Sequence, residues 1–445
     1  MTTTTPDAAD SPDGPGWLRE VRTAARVRFE AADLPTEAEE IWRYSRVDEL
    51  DLDRFTPVGV TGRDGWPEDL APVLAGLGPV TATAIVRDGR AILTPSSDPA
   101  VTLELPGDEP WAMGATSDGS DAFVTMNAAL AAAPLRVRFG RRHRPGATVL
   151  VVHWVDADSA AVFPHLLVHA DAGTDGSVVE VVASADVASL VVPVTELDVD
   201  SAANLRYTNV QLLGPRMWQL GAQASRVGRD ATLTSASVAL GGDYARVRTD
   251  SALVGDGASG RLLAVWFGVG DQMPDLRTVQ DHRARKTMSD LVFKGAVADD
   301  AHSVYTGLIR VAKGATGTNA MQTNRNLVLS EGAHADSVPN LEIEDNDVRC
   351  SHASAVGPID DDQRFYLESR GVPADVADRL VTLGFLDEVL VQVPASGLVP
   401  WLRSRLAAKL DAAQAARAAP DPAPATRAAP ATRAAEAALA AEETR

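Results

Sequence analysis

Apolar positions along the chain change period three times. Between about residues 17 and 55 they fall at helical spacing. Trp17, Leu18, Val21, Ala24 and Ala25 predict one helix. Leu34-Pro35-Thr36 followed by Glu39 and Glu40 predicts the capped start of a second, carrying Ile41, Trp42 and Tyr44. Ala82–Val86 and Ala91–Leu93 flank Arg87-Asp88-Gly89-Arg90, a hairpin pattern, because Asp-Gly accepts the positive φ of a tight primed turn. Residues 121–133 predict a short Ala-rich helix.

From about Ala147 to Val356 the pattern becomes one of short Val, Leu, Ile and Thr runs, separated by Gly, Asp, Asn and Ser. Turns of the form Gly-x-x-Ala or Gly-Ala recur at Gly228, Gly255, Gly314 and Gly332. Their spacing is often near 14 residues or twice that, which predicts stacked β-coils of a parallel β-helix rather than a β-sandwich. After Gly357 helical spacing returns over Asp360–Ser369, Ala374–Leu383 and Val399–Leu410, with Gly371 and Gly384 as expected helix stops. Five segments follow: a disordered arm (1–16), an N-terminal helical and mixed domain (17–145), a β-helix core (146–356), a C-terminal helical domain (357–410) and a disordered tail (411–445). The tail repeats Ala-Pro-Ala-Thr-Arg-Ala-Ala and carries few large apolar residues.

Composition narrows the function. With 445 residues, 45% of them apolar, the chain can bury a sizeable core. A net charge of −20 repels phosphate backbones and anionic lipid, so no nucleic-acid or membrane partner is expected. No apolar run approaches the ~20 residues of a spanning helix. The Thr-rich, acidic start lacks a signal-peptide pattern, and a cytoplasmic location is expected. Cys350 is the one cysteine, so no internal disulfide forms. Alone it cannot hold an iron–sulfur cluster, which takes about four ligands.

Candidate chemistry is sparse. Gly255-Asp256-Gly257-Ala258-Ser259-Gly260 matches a dinucleotide loop, but an apolar, strand-like run follows it where a helix is needed, so it reads as a β-turn. No Walker A motif occurs. His165 and His169 share a strand face without an obvious third ligand, and His153 reads as a core histidine. His282, between Asp281 and Arg283, reads as exposed. Cys350-Ser351-His352 places a thiol and an imidazole two apart, hence on one face of a strand. That donor pair suits iron or zinc.

Longer motifs give this pair a context. Ser289-Asp-Leu-Val-Phe-Lys-Gly-Ala-Val, Tyr305-Thr-Gly-Leu-Ile-Arg-Val and Asn324-Arg-Asn-Leu-Val-Leu-Ser precede Pro339-Asn-Leu-Glu-Ile-Glu-Asp-Asn-Asp-Val-Arg-Cys-Ser-His and Phe365-Tyr-Leu-Glu-Ser-Arg-Gly. Together with Leu34-Pro35-Thr36 through Trp42-Arg43-Tyr44, they resemble the SufB/SufD family of iron–sulfur assembly scaffolds over about residues 34–390. The resemblance implies a mainly β fold, a right-handed parallel β-helix flanked by helical ends. It implies a non-enzymatic scaffold that pairs with a SufB-like sister through the β-helix and with a SufC-like ATPase through C-terminal helices, near Phe365, Tyr366, Arg370, Gly371 and Phe385.

Within the family the chain resembles SufD. Asn324 stands where SufB-like chains carry a key cysteine, and Cys-Ser-His stands where they are acidic. Two departures are Ala353-Ser354-Ala355 in place of Gly-Ala-Thr, and Arg283-Ala-Arg-Lys-Thr-Met in place of His-x-Ala-Pro-His-Thr; Arg285 and Lys286 leave that loop no expected ligand beyond His282. His352 is the expected ligand to a nascent cluster shared with the partner, with Cys350 auxiliary. The resemblance leaves open a flavin in the complex and a homodimer of the isolated chain. The competing readings are a purely structural subunit and, remotely, a β-helix carbohydrate-active enzyme, which the low aromatic content of 5% disfavours.

Overall fold

The computed structural model describes residues 14–59, 65–116, 121–143 and 146–418. Six helices are present among them: α1 (Gly16–Ala31), α2 (Ala71–Leu77), α3 (Ala122–Leu130), α4 (Asp361–Glu368), α5 (Ala374–Leu390) and α6 (Val399–Ala418). Most of the expected arm and tail lie outside the described residues. Helix α6 carries on past 410 to Ala418, and α5 runs through Gly384 without stopping there.

Between the helical ends lies a β-solenoid of about eight turns. Each turn contributes one strand to each of two facing parallel sheets. The near-14 spacing in the sequence is thus one strand plus one corner. Sheet 1 ends on the strand His334–Ile343 and sheet 2 on Arg349–Gly357. At the other end the stack is closed by antiparallel strands, Arg90–Thr94 in sheet 2 and Val101–Glu104 in sheet 1. The hairpin forms as expected, with Asp88 and Gly89 at positive φ.

Register makes columns of like positions. Leu205 lies beside Leu233, then Gly260, Ser289, Ala320 and Cys350. Two residues on, Tyr207 lies beside Ser235, Leu262, Leu291, Gln322 and His352. The inward positions of both sheets start apolar, around Leu197 and Leu253 on sheet 1 and Leu205 and Leu233 on sheet 2. They become polar toward the open end, where Gln280, Gln322, Asn324 and Asn326 are all buried.

Alternate residues face outward and are covered differently on the two sides. On sheet 2, Leu263, Val265 and Phe267 meet Leu386, Leu390, Leu402 and Leu406 of α5 and α6. On sheet 1, Leu220, Tyr244, Met273 and Val304 meet Trp42, Val47 and Phe123 from the N-terminal region. Each contact removes large side chains from water, at about 25 cal/mol per Å² of apolar surface.

The second N-terminal helix does not form. In its place are three separate 3-10 turns, Glu40–Trp42, Val47–Glu49 and Leu52–Arg54, although Thr36 N–H does donate to Glu39 Oε1 as a capping box requires. The carbonyls that would continue the helix are claimed by the solenoid: Arg246 reaches Ile41 O, and Arg277 donates to Arg43 O at 2.8 Å. Trp42 stacks on the Arg246 guanidinium, 3.5 Å from its ring centre, and Tyr44 has φ 63. Tertiary contacts override the local helix signal here.

Candidate metal centre at the open end

Among the described residues, the last strand of sheet 2, Arg349–Gly357, has no neighbour beyond it. Its inward face is identified by a bridge across the lumen: Ser354 Oγ donates to Ser337 Oγ at 2.7 Å, and Ser337 donates to Asn324 Oδ1 at 2.7 Å. Cys350 and His352 alternate with Ser354 and so face the same way, the shared face expected from their spacing. Cys350 packs on Ile309, Val311, Ala315 and Ala320 and is half-buried. Burial raises its thiol pKa above the ordinary value, although the Ala320 N–H works in the opposite direction. The thiol is therefore the neutral form in the free chain. His352 is exposed.

Beside His352 in register is Gln322, fully buried, with neither amide atom hydrogen-bonded among the described residues. Its side chain lies over Gly307, where a Cβ would collide with Gln322 Nε2 and Tyr305 OH. Asn324 is also buried, and its Oδ1 accepts from Asn326 and Ser337. The end of the lumen thus offers one sulfur and one imidazole at its mouth, with unpaired amides behind. Two donors are too few for a cluster, so any cluster here takes further ligands from outside the chain.

The other histidines have different places. His282 is fully buried rather than exposed. Its Nδ1 lies 2.8 Å from Thr287 Oγ1 and its Nε2 2.8 Å from Ser289 Oγ. Burial lowers its pKa to about 4. His153 is buried 3.1 Å from Glu180, a core position as expected. Burial opposes the Glu180 charge, but His153, Tyr207 and Thr195 outweigh it and hold the carboxyl below its usual range. His165 and His169 both point outward from one strand and serve separate partners. His165 contacts Asn127 Oδ1 at 2.7 Å and Glu196 Oε1 at 3.0 Å, whereas His169 pairs with Asp198 and Asp171 at 3.1 Å. The Gly-rich motif is a β-turn: Gly257 has φ +74 and donates to Arg285 O, and a strand follows.

The five candidate partner residues divide. Phe365 and Tyr366 on α4 are 70% and 58% exposed, and Arg370 lies over the Tyr366 ring at 5.2 Å. Gly371, at φ +84, ends this segment. Phe385 stands apart on α5, part-buried against the apolar cover of sheet 2, with Lys294 Nζ 4.3 Å from its ring. One cluster escapes the sequence pattern altogether. His302, His334 and Asp336 are brought together on sheet 1. The two histidines are about one coil apart, so aligning the sequence on the solenoid period would have found them.

Residues 153–385 match the sequence profile of the SufBD core domain of the SUF system for FeS cluster assembly. An iron–sulfur cluster assembly SufBD family protein of Mycobacterium tuberculosis is 39% identical over 224 residues, 48% of this chain and 55% of that protein. The chain therefore spans about half the length of this relative. The SufD iron–sulfur cluster assembly protein of Escherichia coli is 27% identical over 385 residues, covering 85% of this chain and 89% of that one. SufD of Bacillus subtilis is 37% identical over 158 residues, 36% of each chain. With the matched core spanning the solenoid, α4 and the first part of α5, the chain belongs to the SufBD family of iron–sulfur cluster assembly proteins.

Proposed function

We propose that this chain is a non-catalytic scaffold subunit of a SufBCD-type complex, working in a reducing, cytoplasmic setting. The observation that carries this reading is the uncapped edge strand Arg349–Gly357, with Cys350 and His352 turned into the open lumen. An edge strand with free backbone groups is a template for another strand. A SufB-like sister docked there would complete the ligand set around a nascent cluster, the cargo of the assembly. His352 is exposed and offers an imidazole at once. Cys350, half-buried and protonated, serves as an auxiliary ligand that is deprotonated when metal arrives. The exposed pair Phe365 and Tyr366, with Arg370 and Gly371, forms the contact for a SufC-like ATPase; Phe385 supports α5 from beneath. ATP-driven movement of the helical end would then reach the lumen mouth. A flavin in the complex has no residue assigned to it.

The test is anaerobic cluster assembly on the co-purified complex. His352→Ala is expected to lower bound iron and sulfide, with Cys350→Ser having the smaller effect. Unchanged iron and sulfide in His352→Ala would leave the alternative, a purely structural subunit. Phe365→Ala with Tyr366→Ala is expected to weaken ATPase capture while the sister scaffold still binds.

A further inference from the structure

The outward face of sheet 1 carries a donor set that has no part in the open-lumen site. His302 begins the strand His302–Val311 and His334 begins its neighbour, the strand His334–Ile343. Parallel register sets the two histidines side by side, with ring centres 5.1 Å apart. Asp336, two residues after His334, points the same way. Its Oδ2 lies 2.7 Å from His302 Nε2, and its Oδ1 lies 3.4 Å from His334 Nε2. One donor atom from each of the three residues falls within 4.8 Å of the other two.

We propose that His302, His334 and Asp336 bind a single divalent first-row transition ion of borderline softness, with Zn²⁺ and Fe²⁺ as its representatives. Two imidazoles and one carboxylate on a single face form the three-ligand set that leaves further coordination positions open. The backbone is already rigid, because both strands are held in a continuous parallel ladder. The ion would replace two contacts to one carboxylate with three bonds to one centre, at little cost in ordering. Access is available. The side chains of His302, His334 and Asp336 are 33%, 66% and 23% exposed. Val304, two residues after His302, belongs to the apolar cluster that also holds Trp42 and Val47 of the N-terminal cover, so the site lies at the margin of that cover. It shares no residue with Cys350 and His352 and lies on the other sheet, so it stands whether or not the cluster reading holds.

The experiment uses the full chain, stripped with a chelator and titrated with Zn²⁺ by calorimetry and with Co²⁺ by visible absorption. Wild type is expected to take up one tight equivalent. His334→Ala and Asp336→Asn are each expected to weaken it by more than about tenfold. The Cys350→Ser, His352→Ala double variant, which removes only the open-end donors, is expected to keep this one tight equivalent. Circular dichroism checks that the variants are folded. The wild-type protein gives a readout free of that concern: Co²⁺ should broaden the His302 and His334 ring resonances ahead of the other histidines. The proposal is overturned if wild type binds no tight equivalent. It is equally overturned if the His334 and Asp336 variants bind unchanged, if the Cys350/His352 variant loses the ion, or if other histidines broaden first.

Discussion

His282 is held neutral inside the solenoid, and that makes acid the condition it cannot tolerate. Its folded pKa is about 4 against 6.5 when free, so between those values the unfolded chain binds more protons than the folded one. Stability therefore falls as pH drops from 6.5 toward 4, by about 3 kcal/mol from this residue. Urea melts at pH 7 and pH 4.5 should show that loss in wild type and a smaller one in His282→Gln. The sequence suggested an exposed His282 because its neighbours are charged. In a strand those neighbours face the other way, and Asp281 and Arg283 do pair outside at 2.6 Å. Lys409 is a second buried titrating group. Its Nζ donates to Leu240 O, Phe267 O and Gln272 Oε1, and burial lowers its pKa to about 7. The free lysine keeps its proton up to 10.5, so this residue makes stability rise with pH from about 7 upward. Lys409→Ala takes this donor from the carbonyls of Leu240 and Phe267, while Gln272 Oε1 keeps the Val269 N–H, and should cost about 2–4 kcal/mol. It should also flatten the rise between pH 7 and 9, measured by thermal melts across that range.

At the scale of the element, the open edge strand is the informative one. Arg349 N–H donates to Thr318 O, so the alternate groups of Cys350, His352 and Ser354 face the free edge. Proline is tolerated on an edge strand where the missing N–H pointed to solvent. Ser354→Pro should leave the far-UV dichroism intact yet reduce pairing with a sister scaffold by at least about tenfold, read by surface plasmon resonance; unchanged pairing would remove the strand from the interface. This strand and the shared face of Cys350 and His352 were legible, because a period-two argument needs only local spacing. The missing helix after Thr36 was not legible. Its capping signal is real, but the arginines that claim its carbonyls lie about 200 and 230 residues downstream. The division of Phe385 from Phe365 and Tyr366 was likewise hidden, since it depends on which face of α5 meets sheet 2.

For the whole molecule, the repeat of short β-runs was enough to foresee a solenoid with helical ends. It could not show which end lacked a cover, because that depends on where N- and C-terminal segments fold back. They fold onto the flat outer faces, the N-terminal region on sheet 1 and α5 and α6 on sheet 2 with Leu70 and Val73 beside them, and this makes the helices part of the core. A chain ending at Pro358 would expose Leu263, Val265 and Phe267 on sheet 2. It should aggregate on expression or melt well below wild type, as light scattering during a thermal ramp would report.

The columns that run through the stack carry a further consequence. Leu205 and Cys350 occupy equivalent places in coils five steps apart, as do Tyr207 and His352. What separates a sealed interior position from one at the mouth is how many turns follow. Winding one more coil onto this end would turn Cys350 and His352 into core residues without changing either of them. The number of turns is thus itself a chemical variable, and the solenoid stops at the count that leaves the sole thiol at the threshold.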